Sequence, residues 1–114
     1  MIVYGIKNCD TVKKALSWLE NHGVAYEFHD FKKLGISEEK LKEWSSLLGW
    51  EALLNKRGTT WRKLDPSVQN SITSEDAALQ LMRIQTSVIK RPVIESGNQL
   101  LHGFDEELYT QKLL

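Results

Sequence analysis

Within its first 31 residues this chain passes from strand to helix to strand, and that β-α-β opening narrows the available folds more than any other feature. Met1-Ile2-Val3-Tyr4-Gly5-Ile6 is an apolar run of strand length. A helix is predicted from about Asp10 to His22: Val12, Ala15, Leu16 and Leu19 recur on one face, while Lys13, Lys14, Ser17 and Glu20 point to water. Asp10 is the expected cap, and Gly23 fits the left-handed stop. Val24 to Phe31 is aromatic-rich with partial alternation, Tyr26 and Phe28 against Glu27 and His29, as a second strand requires. Two strands joined across a helix are parallel, with a right-handed crossover.

From there to residue 91 the patterns are helical. Ser37 is placed to cap a helix presenting Leu41, Trp44 and Leu48, and Gly49 closes it. Trp50 to Leu54 reads as a further turn or two, then a basic loop from Asn55 to Thr60; Asp65-Pro66 and Ser74-Glu75 mark two more helix starts. Pro92-Val93-Ile94-Glu95 and Gln99-Leu100-Leu101-His102 flank Ser96-Gly97-Asn98, the signature of a hairpin, and a last helix begins at Asp105 with Leu108, Tyr109 and Leu113 facing inward. The order predicts an α/β fold in one domain spanning 1-114. Its expected form is a thioredoxin-like core of about 1-32 and 88-114, with a mixed four-stranded sheet, helices on both faces, and an all-helical insertion at about 35-87. Such a core brings the segment before Pro92 to the sheet edge that holds residue 9.

Size and charge exclude several functions. A chain of 114 residues buries a core without metal or disulfides. Fifteen Lys and Arg cancel fifteen Asp and Glu, which disfavours nucleic acid and acidic membranes as partners. His22, His29 and His102 are scattered without metal-site spacing, so no metal is expected. The start lacks the layout of a signal peptide, and a lone thiol suits a reducing compartment, so a cytoplasmic monomer is the expectation.

Cys9 is the only cysteine, and it stands where the first strand gives way to the first helix. Unpaired N–H groups and the positive end of the peptide dipole favour thiolate there, and thiolate is the nucleophile. With no second cysteine, a catalytic cycle through Cys9 needs an external thiol to resolve it, glutathione being the obvious one.

With these residues in hand the chain resembles the family of arsenate reductase ArsC, the regulator Spx and the YffB-type small reductases, nearest to the last. The resemblance spans essentially the whole length and is carried by Tyr4 to Ala15 (Tyr-Gly-Ile-Lys-Asn-Cys-Asp-Thr-Val-Lys-Lys-Ala), by Ala52 to Thr60 (Ala-Leu-Leu-Asn-Lys-Arg-Gly-Thr-Thr) and by Ile89 to Ile94 (Ile-Lys-Arg-Pro-Val-Ile). It implies a thioredoxin-like fold and a glutathione-dependent thiol reductase in which Cys9 and Arg91 are catalytic. Substrate contacts are implied for Asn8, Lys13, Arg57, Thr59 and Pro92. It also implies a cis peptide before Pro92, with glutathione as co-substrate and glutaredoxin as a candidate partner.

Departures from that family rank the alternatives. Its arsenate reductases set two further arginines around the oxyanion, at positions aligning here with Asn55 and about Gly103. Each lost charge-assisted hydrogen bond is worth roughly 1.5–3 kcal/mol, so arsenate ranks second as substrate, with Arg57 the one nearby replacement. Spx-like regulators, the non-enzyme alternative, often carry a Cys-x-x-Cys switch whose second position is here Val12. An internal disulfide switch is therefore excluded.

Overall fold

The computed structural model describes all of residues 1–114, and its elements fall into two units, Met1–Leu34 with Arg91–Leu114, and Gly35–Lys90. The first contains β1 (Ile2–Gly5), α1 (Asp10–Asn21), β2 (Glu27–Asp30), α2 (Phe31–Leu34), β3 (Val93–Ser96), β4 (Gln99–His102) and α8 (Glu106–Leu113). The sheet is mixed and four-stranded, in the order β2-β1-β3-β4, with β1 parallel to β2 and antiparallel to β3, and β3 antiparallel to β4. This is the thioredoxin-like arrangement.

Strand register decides which side chains meet. Val3 lies opposite Phe28 and Ile94, and Ile94 opposite Leu101. Period-two alternation puts this row on one face, where Val3, Ile94 and Leu101 pack against Ala15, Trp18 and Leu19 of α1 and Tyr109 of α8. Burying each large apolar side chain contributes about 1.5–3 kcal/mol. Tyr4 points to the other face, with its ring 4.7 Å from that of His29 and 6.2 Å from that of Phe31, and donates to Glu95 Oε1 at 2.6 Å.

Two details of this unit differ from expectation. The second strand covers Glu27–Asp30, not Val24 to Phe31, because Asp30 Oδ1 accepts the Lys32 N–H at 2.9 Å and starts the short α2 at Phe31. The cap of α1 is Cys9, not Asp10: Cys9 is extended (φ −135°, ψ 122°) and its carbonyl accepts the first helical bond, from Lys13 N–H at 2.9 Å.

The helical unit comprises α3 (Glu38–Leu48), α4 (Trp50–Leu53), α5 (Thr59–Arg62), α6 (Pro66–Ser71), α7 (Glu75–Ile84) and a 3-10 turn at Thr86–Val88. Ser37, Asp65 and Ser74 cap α3, α6 and α7 through their side-chain oxygens. Two features here were unforeseen. Leu54 does not continue α4 but forms an antiparallel bridge with Ile89, flanked by Asn55 N–H to Val88 O and Lys90 N–H to Leu53 O, each 2.7 Å. Thr59 and Thr60 belong to α5 and not to a loop, because Gly58 holds the extended cap position before them. No helix is long and apolar enough to cross a membrane.

Candidate active site

β1 ends at Gly5, and a turn over Ile6 to Asn8 delivers Cys9 to the start of α1. β3 runs antiparallel to β1, so its beginning lies at the edge where β1 ends. That topology brings Arg91 and Pro92 to Cys9 although they are distant in sequence. The Arg91–Pro92 peptide is cis, as the resemblance implies.

Cys9 is half-buried, and its thiol is held below its ordinary pKa by a contest of effects. Burial, the largest single influence, pushes it up. Three groups together outweigh that: the Val12 N–H, the Arg91 guanidinium acting by hydrogen bond and charge, and the Thr11 N–H. Cys9 makes no side-chain cap bond of ordinary geometry, yet these two N–H groups favour its anion, as the donors of a first helical turn do. The cation that acts on the sulfur is Arg91, which is distant in sequence. Lys13 and Asn8 are exposed beside Cys9, Lys13 one helical turn along.

A scaffold of hydrogen bonds fixes the loop opposite. Tyr109, fully buried, donates to the Gly103 carbonyl at 2.6 Å, and Gly103 N–H donates to the Pro92 carbonyl at 2.8 Å. Burial, then the nearby Asp105, keeps the Tyr109 hydroxyl protonated far above the phenol's ordinary range, so it stays a donor. Gly103 sits at φ 75°, a conformation that excludes most side chains. Gly5 is a second unforeseen element. A Cβ there would meet Val12 Cγ2 at 2.9 Å and Cγ1 at 3.2 Å, so the bare glycine lets the first turn of α1 seat on β1. A glycine inside a strand was the signal available for it.

Arg57 and Thr59 lie in the helical unit. Both are exposed, on a turn organised by Asn55, whose Oδ1 accepts the Arg57 N–H at 3.1 Å and whose Nδ2 lies 2.9 Å from where a Gly58 Cβ would stand. Lys56 Nζ rests 5.5 Å over the Trp61 ring. Asn55 is thus a turn former, and no group of His, Cys, Asp and Glu is arranged to hold a metal ion.

The arrangement supplies a stabilised thiolate, a guanidinium beside it, and no second thiol. Comparison with known proteins finds similar chains over almost the whole length. The model of the ArsC family matches residues 4–111. An uncharacterized protein of Haemophilus influenzae is 45% identical over 107 residues, which cover 94% of this chain and 93% of that one. Among solved structures, the YffB protein is similar with a TM-score of 0.93 at 48% identity, covering 99% of this chain and 98% of its own. An arsenate reductase (ArsC) related protein from Brucella melitensis gives 0.77 at 46% identity, with 98% and 92% covered.

Proposed function

This chain belongs to the ArsC family, and from that premise we propose that it is a glutathione-dependent thiol reductase working through Cys9. The observation that carries the reading is the single thiol held below its ordinary pKa by Val12 N–H, Arg91 and Thr11 N–H. A thiol so placed holds more of the nucleophilic thiolate than a free one does.

The cycle balances with glutathione as the sole reductant. The Cys9 thiolate attacks the glutathionyl sulfur of a mixed disulfide R–S–S–G, the S–S bond breaks, and the substrate leaves as thiolate and takes a proton from water. The Cys9–S–S–G bond so formed is attacked by a second glutathione thiolate. Oxidised glutathione leaves and the Cys9 thiolate returns. The substrate sulfur falls from disulfide to thiol as the incoming glutathione sulfur rises from thiol to disulfide, while the glutathionyl sulfur passes from one disulfide to the next at an unchanged oxidation level. Arg91 steadies the sulfur anions on both sides of the exchange and faces the carboxylates of the tripeptide.

Arsenate ranks second as substrate for a structural reason. The two positions where arginines of arsenate reductases align are held here by a turn former, Asn55, and by a buried glycine that ties Tyr109 to Pro92. Intact mass after incubation with oxidised glutathione tests the reading. The expected product is one glutathionyl group on Cys9 that glutathione removes; a thiol that alkylates freely yet takes no glutathionyl group overturns it. Arsenate turnover with glutathione or glutaredoxin is expected to be weak or undetectable.

A further inference from the structure

A groove of about 980 Å³ lies between α1 and the start of α8, and the thiol chemistry of Cys9 makes no use of it. Its floor is aromatic: Trp18, stacked on His22 at 4.0 Å and edge-on to Tyr109 at 5.4 Å, and Phe104, edge-on to the same tyrosine at 5.3 Å. Its walls are opposed in charge. Lys13 and Lys14 stand on α1, and Glu106 and Glu107 on α8, all four exposed. No salt bridge joins either lysine to either glutamate, so both signs face the groove unneutralised by one another.

The groove starts one helical turn along α1 from Cys9. β1 and β4 are each antiparallel to β3, so both end at one sheet edge, and α1 and α8 both start there. On one wall Lys13 follows Cys9 by a single helical turn; on the other, Phe104 follows Gly103, whose N–H is bonded to the Pro92 carbonyl. From Lys13 to His22 the α1 wall runs for about 14 Å at 1.5 Å per residue. That length accommodates roughly four residues of extended chain at about 3.3 Å each.

We propose that this groove seats the polypeptide flanking the reactive sulfur of a glutathionylated protein, so that the substrate of this reductase is a protein and not a small disulfide. The inference rests on the thiol reductase reading and names its substrate class. Successive side chains of an extended strand point to opposite sides, so an acidic residue next to a basic one sends the acid to Lys13 and Lys14 and the base to Glu106 and Glu107. An apolar side chain nearby covers Trp18 and Phe104.

Two measurements test it separately from the chemistry. The first is fluorescence anisotropy of a labelled peptide of about eight residues, with Asp-Lys and Phe inside the stretch of about four that the groove spans, against the Cys9→Ser protein, which binds without reacting. Converting both groove glutamates (Glu106→Lys with Glu107→Lys) should weaken that peptide at least about tenfold, while a peptide with Asp-Asp in place of Asp-Lys should bind the variant more tightly than the parent. Equal affinities in parent and variant overturn the groove, as does self-association of the protein that the same two substitutions abolish, which gives the groove to a second copy. The second measurement is turnover by the wild-type protein of the same peptide glutathionylated on an added cysteine, beside the mixed disulfide of free cysteine and glutathione. The peptide should be favoured in kcat/KM, and the glutamate conversions should remove that advantage alone. Charge-dependent binding without turnover leaves the groove standing and sinks the reductase reading; equal turnover of both disulfides, indifferent to the conversions, does the reverse.

Discussion

Four helices of this protein begin on an oxygen and one begins on a sulfur. α3, α6, α7 and α8 start at Ser37, Asp65, Ser74 and Asp105, whose side chains accept the N–H of Lys40, Ser67, Ala77 and Leu108. α1 starts at Cys9, and the N–H groups of Val12 and Thr11 act on its sulfur. A capping oxygen satisfies the orphan donors and ends their influence, stabilising the helix by about 1 kcal/mol. A sulfur in the same place is changed by the donors, because they favour its anion. The physics that finishes four helices activates the fifth.

The largest test exchanges one kind of start for the other. Cys9→Ser should abolish glutathionylation entirely, read by intact mass, while restoring a good oxygen cap and leaving the fold intact. Stability should then separate the two proteins with pH. Because folding lowers the Cys9 pKa, the thiolate's contribution is fully present above the unfolded pKa of about 8.5 and is lost as pH falls through the folded value. The melting temperature of the wild type relative to the serine variant should therefore rise with pH through the thiol range; a flat difference would mean that the helix start does not favour the thiolate.

Next in size is the charge that no capped start possesses. Arg91→Ala removes both a hydrogen bond and a charge from Cys9, so the pH midpoint of its alkylation should move up and its reaction at neutral pH should slow several-fold. Lysine should restore part of this, keeping the charge but losing the forked geometry. An alanine variant that alkylates with the wild-type midpoint takes Arg91 out of the site.

Smaller again is the effect of Gly5→Ala, which acts on the thiol only through Val12. The new methyl would stand 2.9 Å from Val12 Cγ2, and Val12 is fully buried with a stiff β-branched side chain, so the helix start must shift. Overpacking of this kind costs about 1–3 kcal/mol. The thiol midpoint should rise together with the fall in melting temperature, since the displaced Val12 N–H is one of the groups holding the pKa down. A loss of stability with an unmoved midpoint would confine Gly5 to packing.

The same comparison shows what the sequence made legible. Oxygen caps announce themselves by residue type one position before an apolar period: Ser37 was read as a cap, and Asp65, Ser74 and Asp105 as helix starts. The positive φ of Gly23 and Gly49 follows from the same local rules. Cys9 was read as standing at a helix start, but Asp10 was given the cap, because a cysteine carries no capping preference to weigh against an aspartate. Features set by contacts between distant segments left no periodic trace. The Leu54–Ile89 bridge is one residue pair on each side, too short to alternate. The Tyr109–Gly103–Pro92 chain depends on a carbonyl and an N–H that every residue has. Of the residues expected in the site, Arg91 and Pro92 were reached through strand topology and resemblance together, whereas Arg57 and Thr59 were drawn from the basic segment Asn55 to Thr60 and lie in the helical unit.

The smallest expected effect is the control that gives the comparison its edge. Asp105→Ala deletes the oxygen cap of α8, whose Oδ1 accepts the Leu108 N–H at 3.1 Å, and should cost about 1 kcal/mol of stability. It leaves Tyr109 and its bond to Gly103 in place, because that hydroxyl is held by burial and by the Gly103 carbonyl. The thiol midpoint of Cys9 should therefore stay where it is. Ser74→Ala, at the start of α7, should behave alike, with a similar loss on melting and no change in alkylation. If either substitution moved the Cys9 midpoint as far as Arg91→Ala does, helix starts would be coupled through the whole fold, and the activation of Cys9 could no longer be assigned to the two N–H groups and the guanidinium around it. Alkylation rate against pH, run on all three variants beside their melting curves, decides between the local and the distributed account.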